Sequence, residues 1–157
     1  VTGATHEGVL AAYALSKQSN LAGYRAAFVA GDRTLIAGIL ETRKHLGLIS
    51  PLPIQAAMIA ALRDDEHVKV QREVYRRRRD ILRPAVESAG FRVDDSVAGL
   101  YLWATRGEPA FDSVNHLAEL GILVAPGSFY GESGANHVRI ALTATDERIA
   151  AAARRLA

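Results

Sequence analysis

The hydrophobic and polar positions change texture twice along the chain. Residues 9–15 are small and apolar and predict a buried strand or a short helix, and residues 16–23 turn polar. Residues 26–30 form a second apolar run, stopped by Gly31 and Asp32, which predicts a strand. Asp32 is placed to cap a helix over 33–45, with Leu35, Ile36, Ile39 and Leu40 on one face and Gly47 as its stop. Ser50, Pro51 and Pro53 punctuate the chain before a short apolar helix over 54–62. Asp64, Asp65 and Glu66 then open a long charged helix reaching about Ala89, with acids where the helix dipole favours them. At about 1.5 Å per residue it spans about 36 Å, enough to bridge two lobes, and Pro84 is expected to bend it or end it early.

Beyond Gly90 the elements shorten. Strands are expected over 91–93, 99–104 and 122–125, and a helix over 111–120 ending at Gly121. Residues 137–142 alternate cleanly, with Val138, Ile140 and Leu142 on one face and His137, Arg139 and Ala141 on the other. Asp146 is placed to cap a last helix to Leu156. The second half therefore reads as an α+β lobe, with a boundary inside the long helix. No repeat or low-complexity tract interrupts the pattern.

Composition narrows the class. Of the 157 residues, 49% are hydrophobic, which excludes an intrinsically disordered chain and suffices for one core or a core and a smaller lobe. Without cysteine there is no disulfide framework, thiolate metal site or thiol nucleophile. The sequence shows no apolar run of membrane-spanning length and no basic-then-apolar leader, so a soluble, cytoplasmic domain without membrane partners is expected. The abrupt start, without an initiator methionine, reads as a piece of a longer chain.

Charge redirects attention to the lysines. The formal net charge is only +2, weaker than nucleic-acid binders show, and of 19 basic residues only Lys17, Lys44 and Lys69 are lysine. Arginine keeps its charge, whereas an amine can lose its proton to a desolvating environment and become nucleophilic. Lys17 follows Ser16 in a polar turn after an apolar run, and Arg25 stands eight positions on, before a strand. A partly desolvated amine suits a Schiff base, and a guanidinium with a hydroxyl suits a phosphate. Together these are what a pyridoxal phosphate site requires, set against a plain loop lysine and surface arginine. Arg139, opposite the apolar face of its strand, has the shape to hold a carboxylate with two hydrogen bonds, set against an arginine at a sheet edge. Arg76, Arg77, Arg78 and Arg79 point around most of a helix, with Glu73 and Asp80 interspersed, and read as a solvated face. The five histidines lack metal-ligand spacing, and the glycines form no Walker or dinucleotide motif.

Ala14, Leu15, Ser16 and Lys17, then seven residues and Arg25, resemble the lysine motif of the class I/II aminotransferases of pyridoxal phosphate fold type I. Downstream, the run from Pro126 through Gly127, Ser128, Phe129, Tyr130 and Gly131 is similar to the family's carboxylate-binding segment, together with Asn136, His137, Val138, Arg139 and Ile140. Gly99, Leu100, Tyr101, Leu102 and Trp103 resemble a strand of its small domain. The wording from Leu15 to Arg25 is most similar to succinyldiaminopimelate aminotransferases of the DapC type.

The resemblance implies an α/β fold. Residues 1–68 would be the C-terminal part of the cofactor-binding large domain (mixed sheet with helices), joined by the long helix to a small α+β domain over 69–157. It implies that Lys17 carries pyridoxal 5'-phosphate and acts as general base and acid, that Arg25 with Ser16 holds the phosphate, and that Arg139 holds the substrate α-carboxylate. Glutamate would be the donor and an N-succinyl-amino-keto dicarboxylate of lysine biosynthesis the acceptor, in a homodimer. One departure stands out: Ala14 replaces a phosphate-binding serine or threonine, removing a hydrogen bond worth about 1.5–3 kcal/mol if nothing replaces it. The family's acidic partner for the pyridine nitrogen lies before the lysine and outside this sequence, so the chain is expected to be a C-terminal part, inactive alone. An aminotransferase acting on aspartate, alanine or aromatic amino acids is the alternative. A non-catalytic nucleic-acid-binding module using the helix at 76–79 is the rival of a different class.

Overall fold

A computed structural model describes residues 5–157, and the chain divides into two units, Val1–Val70 and Gln71–Ala157. Residues 1–4, where the abrupt start falls, lie outside the described residues. In the first unit, β1 (Leu10–Ala14) and β2 (Ala27–Gly31) pair antiparallel, with Ala12 opposite Val29. The one-turn helix α1 (Leu15–Gln18) and a 3-10 turn (Ala22–Tyr24) fill the connection. Contrary to the buried strand expected there, β1 is mostly exposed, because a two-stranded sheet leaves its faces open. Gly31, at φ +145°, ends β2 against β1, where a Cβ would strike the Val9 carbonyl.

Asp32 caps α2 (Arg33–His45) as the sequence predicts. Its carboxylate accepts from the backbone N–H groups of Thr34 at 2.7 Å, Leu35 at 3.0 Å and Gly8 at 2.8 Å. Those donors, the Gly8 amide foremost, hold Asp32 below the usual carboxylate range. Helix α3 (Leu52–Leu62) starts two residues earlier than expected, since Pro53 is tolerated in a first turn whose N–H groups have no helical partner. The buried cluster of this unit is small: Leu15, Ala26 and Met58, with Leu21, Ile54 and Ala61 against it.

Helix α4 (Glu66–Ser88) carries the chain from the first unit into the second. It runs through Pro84, against the expectation of an early end. Pro84 forfeits only its own bond to the Asp80 carbonyl, while Leu82 and Val86 on either side are buried in the core. The second unit is a four-stranded antiparallel sheet in the order β3 (Arg92–Asp94), β4 (Tyr101–Thr105), β6 (Val138–Ala141), β5 (Ala125–Pro126). Helix α5 (Ala110–Glu119) precedes β5, and α6 (Asp146–Leu156) follows β6. Thr145, one residue before the expected cap, is the N-cap of α6, and Asp146 sits in its first turn.

Strand β5 covers two residues and not the four expected over 122–125. After α5 the Ile122 amide is spent on the Leu117 carbonyl at 2.8 Å, so pairing with β6 begins only at Ala125. Leu102, Ala104, Val138 and Ile140 turn one sheet face into the core, where Leu82, Val86, Leu117, Ile149 and Leu156 of the helices meet them. The opposite face carries Tyr101, Trp103 and Arg139. No described helix is long and apolar enough to cross a membrane.

Candidate active site

Two groups of residues carry the candidate chemistry, one in each unit. In the first, Lys17 sits in α1 and Arg25 closes the connection to β2. The Leu15 amide donates to the Ala26 carbonyl at 3.1 Å, so the segments bearing the two cations leave the same end of the β1–β2 ladder. Arg25 adopts a left-handed backbone (φ 52°, ψ 39°), a strained state for a non-glycine residue of the kind that gathers at ligand clamps. One guanidinium N–H donates to the Ala22 carbonyl at 3.2 Å. Lys44 and Lys69 are held by Glu41 and Glu66, each at 3.1 Å. Among the described residues Lys17 has no ion pair, and no carboxylate pairs with Arg25.

Lys17 and Arg25 are exposed on the two turns that leave one end of the ladder, Ser16 is half-buried next to Lys17 in the chain, and among the described residues no acid neutralises either cation, so residue types suited to an anion and to a nucleophile stand on adjacent segments. That set fits an aldehyde cofactor with a phosphate tail. Ala14 contributes no hydroxyl. One neighbour escaped the sequence reading. Ser19, two residues past Lys17, meets His67 Nε2 at 2.9 Å, and His67 Nδ1 meets Asp64 Oδ2 at 3.1 Å. This relay ties the start of α4 to the lysine turn. Asp64 also accepts from the Glu66 amide at 2.9 Å, and that bond, ahead of His67, holds its carboxyl below the ordinary value.

In the second unit Arg139 lies on β6 opposite Trp103 of β4 and Ala125 of β5. Its guanidinium carbon stands 4.2 Å from the ring centre of Tyr101 and 5.0 Å from that of Tyr130. Among the described residues its buried Nε has no hydrogen-bond partner. Beside it, Trp103 stacks on His137 (5.1 Å, 9°) and meets Tyr130 edge-on (5.9 Å, 74°). His137 Nε2 reaches Asp94 Oδ2 at 3.0 Å, and Arg92 Nε donates to Asp94 Oδ1 at 2.7 Å. Arg92 first and His137 second hold the Asp94 carboxyl far below its usual range. Tyr101 and Trp103 fall in a segment expected as a strand, but nothing in the sequence put them, or Tyr130, beside this arginine.

The four consecutive arginines of α4 divide. Arg76 pairs with Glu73 and Asp80, and Arg77 lies 3.9 Å from Glu73, a solvated face as expected. Arg78 and Arg79 depart from that expectation: Arg78 Nε donates to Asp146 at 2.5 Å and its Nη1 to the Leu142 carbonyl at 3.1 Å, while Arg79 donates to the Gly99 carbonyl. They fasten this part of α4 within the second unit, so the run does not offer four free cations to a phosphate backbone. Among the described residues no three His, Cys, Asp or Glu side chains cluster to hold a metal.

Residues 1–156 match the family described as aminotransferase class I and II. The chain belongs to that family. Class I and II aminotransferases are pyridoxal phosphate-dependent. Among the chain's relatives is the 4-dedimethylamino-4-oxo-anhydrotetracycline transaminase OxyQ of Streptomyces rimosus, 62% identical over 156 residues, which cover 99% of this chain and 44% of that protein. A probable aminotransferase of Mycobacterium tuberculosis is 64% identical over 151 residues, 96% of this chain and 36% of that one. A solved structure described as a probable N-succinyldiaminopimelate aminotransferase from Thermus thermophilus superposes with a TM-score of 0.86 at 28% identity, covering 98% of this chain and 42% of the other. The chain thus spans about two fifths of the relatives it matches. The comparisons do not bear out its expected placement as the C-terminal part, nor the DapC-type assignment.

Proposed function

We propose that the protein containing this chain moves an amino group from glutamate to an N-succinyl-amino-keto dicarboxylate in diaminopimelate and lysine biosynthesis. In this reading residues 1–68 belong to the cofactor-binding domain and residues 69–157 form the small domain of a cytoplasmic homodimer. The observation that carries the aminotransferase chemistry is Lys17, which among the described residues has no ion pair and lies on the turn adjoining that of Arg25, whereas Lys44 and Lys69 are paired with carboxylates. The resemblance of the lysine turn and the likeness to the Thermus protein support the acceptor. Relatives named LL-diaminopimelate aminotransferases support the pathway.

Bound pyridoxal phosphate supplies an aldehyde that accepts the amino group and a ring that draws off electrons. Lys17 would hold it through its amine and would carry the proton at the substrate α-carbon. Arg25 grips the phosphate with the guanidinium N–H groups left beyond its bond to Ala22, and Ser16 adds a hydroxyl. Arg139 holds the α-carboxylate and so fixes which bond the amine presents.

Reduction of the full-length enzyme with borohydride should abolish its yellow absorbance and leave the label on Lys17, and Lys17→Ala should lower kcat by at least ~100-fold. A label on Lys44 or Lys69 overturns the assignment. The high identity to OxyQ supports a second reading, in which the acceptor is a 4-oxo-anhydrotetracycline. Assaying both acceptors with glutamate separates the two, because an enzyme specialised for one should favour it at least ~100-fold in kcat/KM.

A further inference from the structure

Arg139 differs from the neighbouring arginines in how its charge is met. Arg78 and Arg92 each lie against a carboxylate, and Arg79 donates to a carbonyl. Among the described residues Arg139 makes no ion pair, and its buried Nε has no hydrogen-bond partner. What surrounds it is aromatic. Tyr101 belongs to β4, diagonally across from Arg139 on the same sheet face, and Tyr130 comes from the 3-10 turn Gly127–Tyr130. Both ring centres lie within cation–π range of the guanidinium carbon, at 4.2 and 5.0 Å.

The position of Tyr130 is built by its surroundings. The Gly127 amide donates to the His137 carbonyl at 2.7 Å, and a Cβ on Gly127 would stand 2.6 Å from that oxygen and 2.8 Å from the Trp103 ring. Only glycine lets the turn approach so closely, and Trp103 then meets Tyr130 edge-on. Trp103 is itself sandwiched onto His137, which Asp94 holds. A chain of contacts therefore runs from Asp94 through His137 and Trp103 to the ring that faces Arg139.

We propose that Tyr101 and Tyr130 are positioning residues for Arg139, holding its guanidinium between their faces so that its N–H groups stay free for an incoming carboxylate. This deepens the proposed function and rests on its reading of Arg139. Ring faces stabilise the cation without consuming its donors, whereas an Asp or Glu in their place would take the N–H groups the substrate needs. The contribution should belong to the ring and not to the phenol hydroxyl. It should also appear in the affinity for the carboxylate and not in the proton transfer.

The test uses the full-length enzyme carrying its cofactor. Tyr130→Leu, in a half-exposed turn, and Tyr101→Leu should each raise the KM for glutamate and the dissociation constant for glutarate (measured by calorimetry) about tenfold, with kcat within about twofold. Tyr130→Phe and Tyr101→Phe should restore both constants to within about twofold of the unmodified enzyme. Binding of an amine that lacks a carboxylate should not respond to any of the four changes. If the leucine variants keep wild-type glutarate affinity while Arg139→Leu loses it, the aromatic clamp is wrong and the carboxylate role of Arg139 stands. If Arg139→Leu also leaves glutarate binding unchanged, the reading of Arg139 itself fails. Equal losses in the phenylalanine and leucine variants would assign the effect to the hydroxyls and overturn the proposal.

Discussion

A single carboxylate shows how local contacts set behaviour in the second unit. Asp94 accepts from Arg92 and contacts His137, and these partners hold its carboxyl well below the ordinary range. A carboxylate depressed on folding stabilises the folded state above its unfolded-state pKa of about 4 and loses that contribution as pH falls through the folded-state value. Asp94→Asn in the full-length protein should therefore lower the urea midpoint at pH 7, and the gap to the unmodified protein should narrow from about pH 5 to pH 3. A gap independent of pH would show that Asp94 acts by packing alone. The residues that sequence reasoning named as a site, Lys17, Ser16, Arg25 and Arg139, stood out by type and spacing. Tyr101, Tyr130, His67 and Ser19 did not, because their partners lie 9 to 48 positions away in sequence and only the fold brings them together.

Elements were legible where a local signal was strong and misjudged where packing overrode it. The Asp32 cap and Gly47 stop bound α2 as expected, and the alternation of 137–142 produced β6 with Val138, Ile140 and Leu142 buried. Pro84, expected to bend α4 or end it early, does not end it. Its side chain is exposed while Leu82 and Val86 are buried, so the helix retains it at the cost of one backbone bond. Pro84→Ala should restore the N–H to the Asp80 carbonyl and stabilise the second unit by about 1–3 kcal/mol, read as a higher denaturant midpoint. A lower midpoint would mean that the helix geometry around residue 84 is adapted to proline.

At the scale of the whole molecule, the two units are unequally provided with core. The second buries thirteen residues in one cluster, whereas the first has Leu15, Ala26 and Met58, with Phe28, Leu40, Leu48 and Ile59 among its exposed apolar side chains. The chain also covers only about two fifths of its relatives. We expect the isolated chain, mixed with pyridoxal phosphate and glutamate, to show no transamination, since it spans only about two fifths of the length of its relatives. Measurable turnover by the isolated chain would contradict this.

By itself the sequence determined the family, the candidate amine and the order of most elements. Residue type, local spacing and periodicity are properties of neighbours along the chain, and they survive without knowledge of the fold. Tertiary structure alone decided that Lys44 and Lys69 meet carboxylates while Lys17, among the described residues, meets none, that Arg78 and Arg79 are fastened within their unit, and that two tyrosines flank Arg139. Each is a question of which side chains share space, and strand register and turn geometry answer it where spacing in sequence does not.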